Sequence, residues 1–432
     1  MSGISSTFAP LRSCYNSPPP MPAFILLATS SSAQRRTLLA AALGWMLDAF
    51  DVMLYSMVLT HIMLDLGMSK ATGGLLNTFT LLASGIGGLL FGFIADRLGR
   101  RSALMLSILT YSIFSFASGL STSILMLACF RFVLGLGMGG EWNTGATLVA
   151  ETWPGELRSR ALAMVQSSWA IGYAAAALVS GIVLHYSNWR MVFFIGILPA
   201  LVTLWIRKDV PESHLWERRQ PSAAAHASRG FIPALLFSSY LRNTLALLLL
   251  NLFGLFGWWG LFTWIPPFLS LPVSQGGRGF GLMGTTGLLV FLNLVGMLPG
   301  YLTFGWMAEK LGRRRSFLLY LLGAALMIPI YANVTHPVLI MVMGAVVAFL
   351  GTGFFSGSGL VGSELFPTQI RARALGFTYN GARMLSALAP FVIGRLGQAH
   401  GLSFAFLLSA LSFLLAAIAS QFLPETKGAT LA

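Results

Sequence analysis

The chain has 432 residues, of which 56% are hydrophobic and only 9% charged, where a soluble protein carries about a quarter charged residues. Apolar runs of about 20 residues, each long enough to cross a bilayer core, recur from residue 37 onward, so the fold class is an all-α polytopic membrane protein. The net charge of +14 does not point to nucleic acid. The basic residues cluster in short loops between apolar runs, as the positive-inside rule describes, and no basic face alternates with stacking aromatics.

Residues 1–34, rich in Ser and Pro around SPPPMP, read as a disordered cytoplasmic tail. The run AFILLAT within it is too short to span, and its weakly basic flank does not make a cleavable signal. Six apolar segments follow at about 37–63, 72–94, 102–121, 123–149, 161–184 and 190–207. Six more lie at about 243–269, 283–306, 316–334, 338–363, 374–396 and 402–423. Twelve transmembrane helices are therefore expected, in a six-helix bundle over 35–207 and another over 242–432, joined by a cytoplasmic linker at 208–241. Twenty of the 27 Lys and Arg residues fall at the ends and loops on one side, against Lys70, Arg190, Arg278 and Arg395 on the other. This places both termini in the cytoplasm. Cys14 and Cys129 imply no disulfide framework.

Span 1 carries Leu47-Asp48-Ala49-Phe50-Asp51, two acids in an apolar run. A carboxylate in the membrane core is costly and marks a candidate functional site. Asp51 lies 15 residues beyond Arg36, roughly 22 Å in at 1.5 Å per residue. Asp48, Asp51 and Tyr55 share one helix face. Two acids this close repel when both are ionised, the setting in which a proton is readily taken up and released. The alternative is a pair merely neutralised by a buried base or lining a wet cavity. Arg131 in span 4 is at comparable depth and is the candidate base. Glu141 in the same span lies about 80° off the face of Arg131, so the two need not pair. The set Asp48, Asp51, Arg131 and Glu141 is expected to handle protons. The six histidines fall in predicted loops or at helix ends and are not expected to do so.

Further along, Gln166, Trp169 and Tyr173 share a face of span 5, and Asn251, Trp258 and Trp259 a face of span 7. Aromatic stripes in membrane helices also serve as packing or interface belts, so contact with substrate is one of two readings. Span 11 has one deep charge, Arg383, with Asn380 a turn earlier. A buried guanidinium with no acid nearby in its own half suits a carboxylate clamp, the alternative being a contact to helix-end carbonyls or to Glu364. Tyr55, Asn251, Trp258, Trp259, Gln166, Asn380 and Arg383 are the candidate substrate contacts.

An internal repeat then emerges. Gly92, Asp96, Arg97, Gly99, Arg100 and Arg101 after span 2 recur, 213 positions later, as Gly305, Glu309, Lys310, Gly312, Arg313 and Arg314 after span 8. Glu151, Pro154, Arg158 and Arg160 recur as Glu364, Pro367, Arg371 and Arg373, and Pro211-Glu212-Ser213 as Pro424-Glu425-Thr426, at the same offset. The chain is two homologous halves. The loop residues are expected to act as conformational gates, Asp96 pairing with Arg97 and Glu151 with Arg158 and Arg160.

The motif G-x-x-x-D-R-x-G-R-R with its echo, Arg131-Phe-Val-Leu-Gly135-Leu-Gly137-Met-Gly139-Gly140 in span 4, and Pro-Glu-Thr-Lys-Gly at 424–428 resemble the signature elements of the major facilitator superfamily. Gly139-Gly140-Glu141-Trp142 with Ala150-Glu151-Thr152-Trp153-Pro154 is similar to the sialate:proton symporter group, which includes yeast lactate permease. The paired acids of span 1 resemble the D-G-F-D element of aromatic-acid:proton symporters, with Ala49 in place of Gly. Span 7 lacks the His-x-Ser/Thr-Gln-Asp run of the lactate permeases, and the linker has no apolar run to supply the extra central helices of some sialic-acid carriers. The resemblance implies a substrate site near the midplane between two parallel-repeat bundles, worked by alternating access. The function it implies is proton-coupled uptake of a small organic anion such as a monocarboxylate, aromatic acid or sugar acid, by a functional monomer in the cell membrane. The alternative is an efflux antiporter, which the proline-free stretch Ala170–Ala174 disfavours. No His-Glu-x-x-His, Gly-x-Ser-x-Gly or intramembrane His cluster is present, so neither an enzyme, a metal site nor a cofactor is expected.

Overall fold

The computed structural model describes residues 30–213, 240–366 and 368–427. Most of the expected tail and of the linker lies outside them. The described residues form helices α1 (Ser32–Asp65), α2 (Lys70–Leu98), α3 (Arg100–Gly119), α4 (Ile124–Thr152) and α5 (Gly155–Tyr186), with no strand among them. They continue as α6 (Trp189–Asp209), α7 (Leu241–Ser270), α8 (Leu282–Leu311), α9 (Arg313–Asn333) and α10 (Pro337–Leu365). The last three are α11 (Thr368–Ser386), α12 (Ala389–His400) and α13 (Leu402–Ser420).

Helix starts follow local chemistry. Ser31 accepts from the backbone N–H of Gln34, whose side chain reaches back to the backbone N–H of Ser31, a capping box. That box starts α1 at Ser32, inside the stretch expected as tail. Ser69, Ser123 and Asn188 cap α2, α4 and α6.

Eleven helices among the described residues are long and apolar enough to cross a membrane. The eleventh predicted span is instead two helices, α11 and α12, broken at Ala387-Leu388 ahead of Pro390, whose ring excludes a continuous hydrogen-bond ladder. Large apolar side chains such as Leu89, Phe93, Leu201, Leu326, Leu339 and Phe404 are exposed around the bundle, as a lipid-facing surface requires.

Within the first half, α4 packs on α2 through Gly135 and Gly139, whose Cα atoms lie so close to the carbonyls of Thr80 and Ser84 that a Cβ would fall 2.2 and 1.9 Å from the oxygens. Between the halves, α2 meets α12, α5 meets α8, and the last turns of α7 meet α1. The cross-half hydrogen bonds join the end where α1 finishes and α2 begins. Thr60 and Ser270 hydroxyls are 3.2 Å apart, Asn77 Nδ2 donates to Thr263 Oγ1 (3.0 Å), and Lys70 Nζ donates to the Gln275 carbonyl (2.8 Å). That end, predicted to face outward, is shut.

Candidate functional site

The two acids of α1, both buried, point in different directions. Asp51 Oδ1 accepts a hydrogen bond from Ser115 Oγ of α3 (3.1 Å), and a Cβ on Gly196, in the turn that interrupts α6 between Ile195 and Pro199, would sit 2.8 Å from it. Asp51 therefore faces the core of its own half. Tyr55 is there too: its hydroxyl donates to the Gly73 carbonyl (2.8 Å), and its ring lies 4.7 Å beneath the Arg131 guanidinium. Arg131 is fully buried, its three side-chain nitrogens make no hydrogen bond, and Asp51 is in electrostatic reach. Tyr55 is thus committed inside the first half and is not part of the wall of the cavity between the halves.

Asp48 is in electrostatic reach of Arg383 on α11, in the other half. Glu141 sits against the backbone of Gly44, one turn before Asp48; a Cβ on Gly44 would fall 1.9 Å from its Oε1. Glu141 and Asp48 also interact electrostatically. The four expected proton handlers therefore lie within the first half, Asp51 beside Arg131 and Asp48 beside Glu141, and Asp48 is the one of the four that also feels the second half, through Arg383.

A cavity lies between the halves. The first half contributes Trp45, Gln166 and Trp169; the second contributes Trp258, Trp259, Tyr301, Phe355, Tyr379 and Arg383. Its void is about 20 Å³, room for a water molecule and not for an organic acid. The walls touch across the interface, with Trp169 ring centroids 5.9 Å from Trp258 and 6.1 Å from Trp259, while Trp45 packs 4.7 Å from Trp169 within the first half. The indole N–H groups of Trp45, Trp169 and Trp258 and the Gln166 carbonyl oxygen are buried without a hydrogen-bond partner. Arg383 is buried and has no ion pair among the described residues.

Of the expected substrate contacts, Gln166, Trp258, Trp259 and Arg383 line this cavity. Asn251 does not: its Oδ1 accepts from Ser358 Oγ (2.5 Å) inside the second half. Nor does Asn380; Tyr379, next to it, takes the wall, because the rotation of α11 presents the residue four rather than three before Arg383. Trp45, Tyr301, Phe355 and Tyr379 were not anticipated. The repeat could have found two of them, since Trp45 maps at 213 onto Trp258 and Gln166 onto Tyr379.

The loop motifs assemble at the opposite end from the cross-half seal, and again in duplicate. Gly99 and Gly312 have φ of 98° and 92°, a region glycine enters without strain, and they let α2 turn into α3 and α8 into α9. Glu212 accepts from the backbone N–H of Arg100 and Arg101 (2.9 and 3.1 Å), and Glu425 from those of Arg313 and Arg314 (2.8 and 3.3 Å). Arg100 pairs with Asp96 (2.8 Å) and Glu151 (3.5 Å), Arg313 with Glu364 (2.7 Å). Ser213 and Thr426 hydroxyls donate to Glu151 and Glu364. The expected pairing is corrected in its details. Adjacent helix residues point about 100° apart, so Arg97 cannot take Asp96 and lies instead over the Phe93 ring (4.1 Å). Glu151 faces the start of α3, leaving Arg158 exposed. Glu309, the mate of Asp96, is exposed, with no ion pair among the described residues. Gly92 and Gly305 face open space, and Arg101 Nη1 donates to the Val210 carbonyl (3.3 Å). The Arg371 side chain lies outside the described residues. Glu364 is therefore occupied by Arg313 and does not reach Arg383.

Comparison with known proteins accords with this architecture. The profile of the Major Facilitator Superfamily matches residues 41–284 and 277–431. A probable 4-methylmuconolactone transporter of Cupriavidus pinatubonensis is 34% identical, over 89% of this chain and 89% of its own. A cis,cis-muconate transport protein of Acinetobacter baylyi is 31% identical, over 90% and 94%. The partially occluded inward-open structure of the xylose transporter XylE from E. coli superposes with a TM-score of 0.75 over 93% of this chain and all of that one, at 17% identity. The chain is a multi-pass membrane transporter, not an enzyme, and belongs to the major facilitator superfamily.

Proposed function

We propose that the protein is a proton-coupled symporter that takes up a small organic anion by alternating access, acting as a monomer in the cell membrane with both termini cytoplasmic. The observation that carries this reading is Arg383: a buried guanidinium with no ion pair among the described residues, set in the wall between the halves and in electrostatic reach of Asp48. Its fork suits a carboxylate. When Asp48 is protonated, Arg383 is left to the substrate; when Asp48 is ionised, the two charges satisfy each other and the substrate carboxylate is displaced. Proton and anion then favour each other's binding, and such coupling is reciprocal. Asp48 and Glu141 carry the proton in this scheme. Asp51, Arg131 and Tyr55 form the polar support of the first half. The named relatives, which carry muconate and 4-methylmuconolactone according to their descriptions, support an organic acid as substrate. The two loop clusters each hold one half as a unit while the halves rock.

The test is uptake into proteoliposomes under an inward proton gradient, with labelled mono- and dicarboxylates, aromatic acids and sialic acid. Accumulation that collapses with a protonophore and is lost in Arg383→Gln is expected. Accumulation of no acid, with proton-driven outward flux instead, refutes uptake and favours the efflux antiporter.

A further inference from the structure

We infer that α8 flexes at a π-turn over Leu292–Met297 when the halves rock, so that its outer segment leaves α5 while its inner segment, which carries part of the cavity wall, stays on α10. This depends neither on what is carried nor on proton coupling.

The sequence supplies the cause. Pro299 has no backbone N–H, and its ring excludes the carbonyl one turn earlier from its α-helical position. The chain widens just ahead of it. There the N–H of Leu298 bonds to the carbonyl of Asn293, five residues back instead of four, the geometry of a π-turn. At the offset of 213, Pro299 corresponds to Ile86 and residues 292–297 to 79–84, where α2 runs on as regular α-helix. Asn293 serves the turn. Its Nδ2 donates to the Leu289 carbonyl (2.8 Å), while its Oδ1 is buried with no hydrogen-bond partner. A buried, half-satisfied amide is costly, and in an uninterrupted apolar helix a leucine would avoid that cost.

The two sides of the turn are held by different halves. The outer segment, Leu282–Phe291, packs on α5 of the first half, where a Cβ on Gly181 would fall 2.2 Å from Thr286 Oγ1. From the turn inward, α8 is fixed to α10 of the second half. A Cβ on Gly296 or Gly300 would fall 2.3 or 2.5 Å from the carbonyl oxygens of Ala345 and Phe349, and Ser356 Oγ donates to the Tyr301 carbonyl (3.0 Å). Tyr301 in turn lines the cavity. A stiff helix gripped in this way would have to break all its outer contacts at once for the halves to part. A π-turn interrupts the α-helical ladder and takes the bend in one place, so the outer contacts part in sequence.

Two measurements on the full-length protein in nanodiscs test this. Hydrogen exchange compares residues 292–297 with their mates at 79–84 in the unaltered chain. The π-turn is expected to exchange faster by about fivefold or more, the worth of one weakened backbone hydrogen bond. Equal exchange overturns the inference, whatever any variant does. Nitroxides at Met283 and Leu302, both exposed and on opposite sides of the turn, report its bending by double electron–electron resonance. A broad distance distribution is expected in the unaltered helix. A narrow one is expected in Asn293→Leu/Pro299→Ala, which removes the amide that serves the turn and restores the missing N–H. Gly74→Ala brings a methyl within 2.3 Å of the Pro390 carbonyl oxygen across the outer seal, and should shift the mean distance in the unaltered helix but not in the double variant. Distributions equally narrow in both, or a mean that Gly74→Ala leaves in place, show a stiff α8 and overturn the inference. The anion-carrier reading stands in either case.

Discussion

Gly44 offers the sharpest test of the Asp48–Glu141 pair, because its lack of a side chain is what lets Glu141 lie where it does. In Gly44→Ala the new methyl lands 1.9 Å from Glu141 Oε1 and 2.8 Å from Cδ, where ordinary contact begins at 3.4 Å. The carboxylate must retreat by about 1.5 Å in a close-packed setting, an overpacking cost of about 1–3 kcal/mol. Against it stands the helix preference for Ala over Gly, about 1 kcal/mol in a helix interior. The single substitution should therefore be destabilising by up to about 2 kcal/mol or break even. In a Glu141→Ala background the clash is gone, and the same change should stabilise by up to about 1 kcal/mol. The coupling energy of this cycle is thus about 1–3 kcal/mol, read from denaturant midpoints in detergent by far-ultraviolet circular dichroism. The same shift in both backgrounds would refute the placement of Glu141 on Gly44 and, with it, the Glu141–Asp48 pair.

Three further outcomes follow from the geometry. Gly139→Ala puts a methyl 1.9 Å from the Ser84 carbonyl oxygen and 2.6 Å from the Gly88 nitrogen; both are backbone, so α2 and α4 must part. It should cost about 3 kcal/mol or more, seen as loss of monodisperse protein on size exclusion, whereas Gly287→Ala, which meets nothing within 4 Å, should fold normally. Asp48→Asn should flatten the pH dependence of anion affinity, while Asp51→Asn keeps an acceptor for Ser115 and should retain it; the reverse result would exchange the roles of the two acids. At Glu425 partial burial favours the neutral acid, but the backbone N–H groups of Arg313, Arg314 and Lys427 and the charge of Arg313 outweigh it and hold the carboxylate below its usual value of 4.5. Its capping contribution is then fully present above that usual value and lost as pH falls through the lower folded one. Glu425→Gln should therefore leave the shape of the transport pH profile between about pH 5 and 7 unchanged, and a shifted profile would show that this cap titrates with transport.

The fold was legible because hydropathy, loop charge and the 213-residue repeat each constrain it independently. What the sequence did not show was where helices break. Span 11 reads as one apolar run, yet Pro390 and the chain around Ala387 divide it. The candidate site was half legible. Buried charge in an apolar run is a strong signal, and Asp48, Arg131, Glu141 and Arg383 stood out for that reason. Helical spacing, however, fixes faces only to within tens of degrees. It grouped Asp48, Asp51 and Tyr55 on one face, although a difference of three positions leaves Asp48 in reach of Arg383 and sends Asp51 to Ser115. It grouped Asn251 with Trp258 and Trp259, although Asn251 turns to Ser358. Trp45 and Tyr379 needed the repeat applied to aromatic positions as well as to loops.

The repeat also shows how the halves have diverged. The loop clusters are kept in both copies, down to the carboxylate that caps α3 or α9 and the hydroxyl on Glu151 or Glu364, as expected for parts that must hold two bodies rigid. Aromatic wall positions are kept in kind, Trp45 with Trp258. The deep charges are not kept. Asp48 corresponds to Leu261, Arg131 to Gly344 and Glu141 to Phe354, and Asp51 to Trp264, whose indole donates to the Pro390 carbonyl (2.9 Å) beside the break in span 11. Conversely Arg383 corresponds to Ala170 in the first half. Under the proposed mechanism this asymmetry has a physical use. An acid and a guanidinium on the same rigid body keep a fixed separation through the cycle, so their mutual attraction cannot report which way the carrier faces. Asp48 and Arg383 belong to different bodies, and their separation changes whenever the halves rock, which makes the electrostatic link between proton and anion a function of the conformational state.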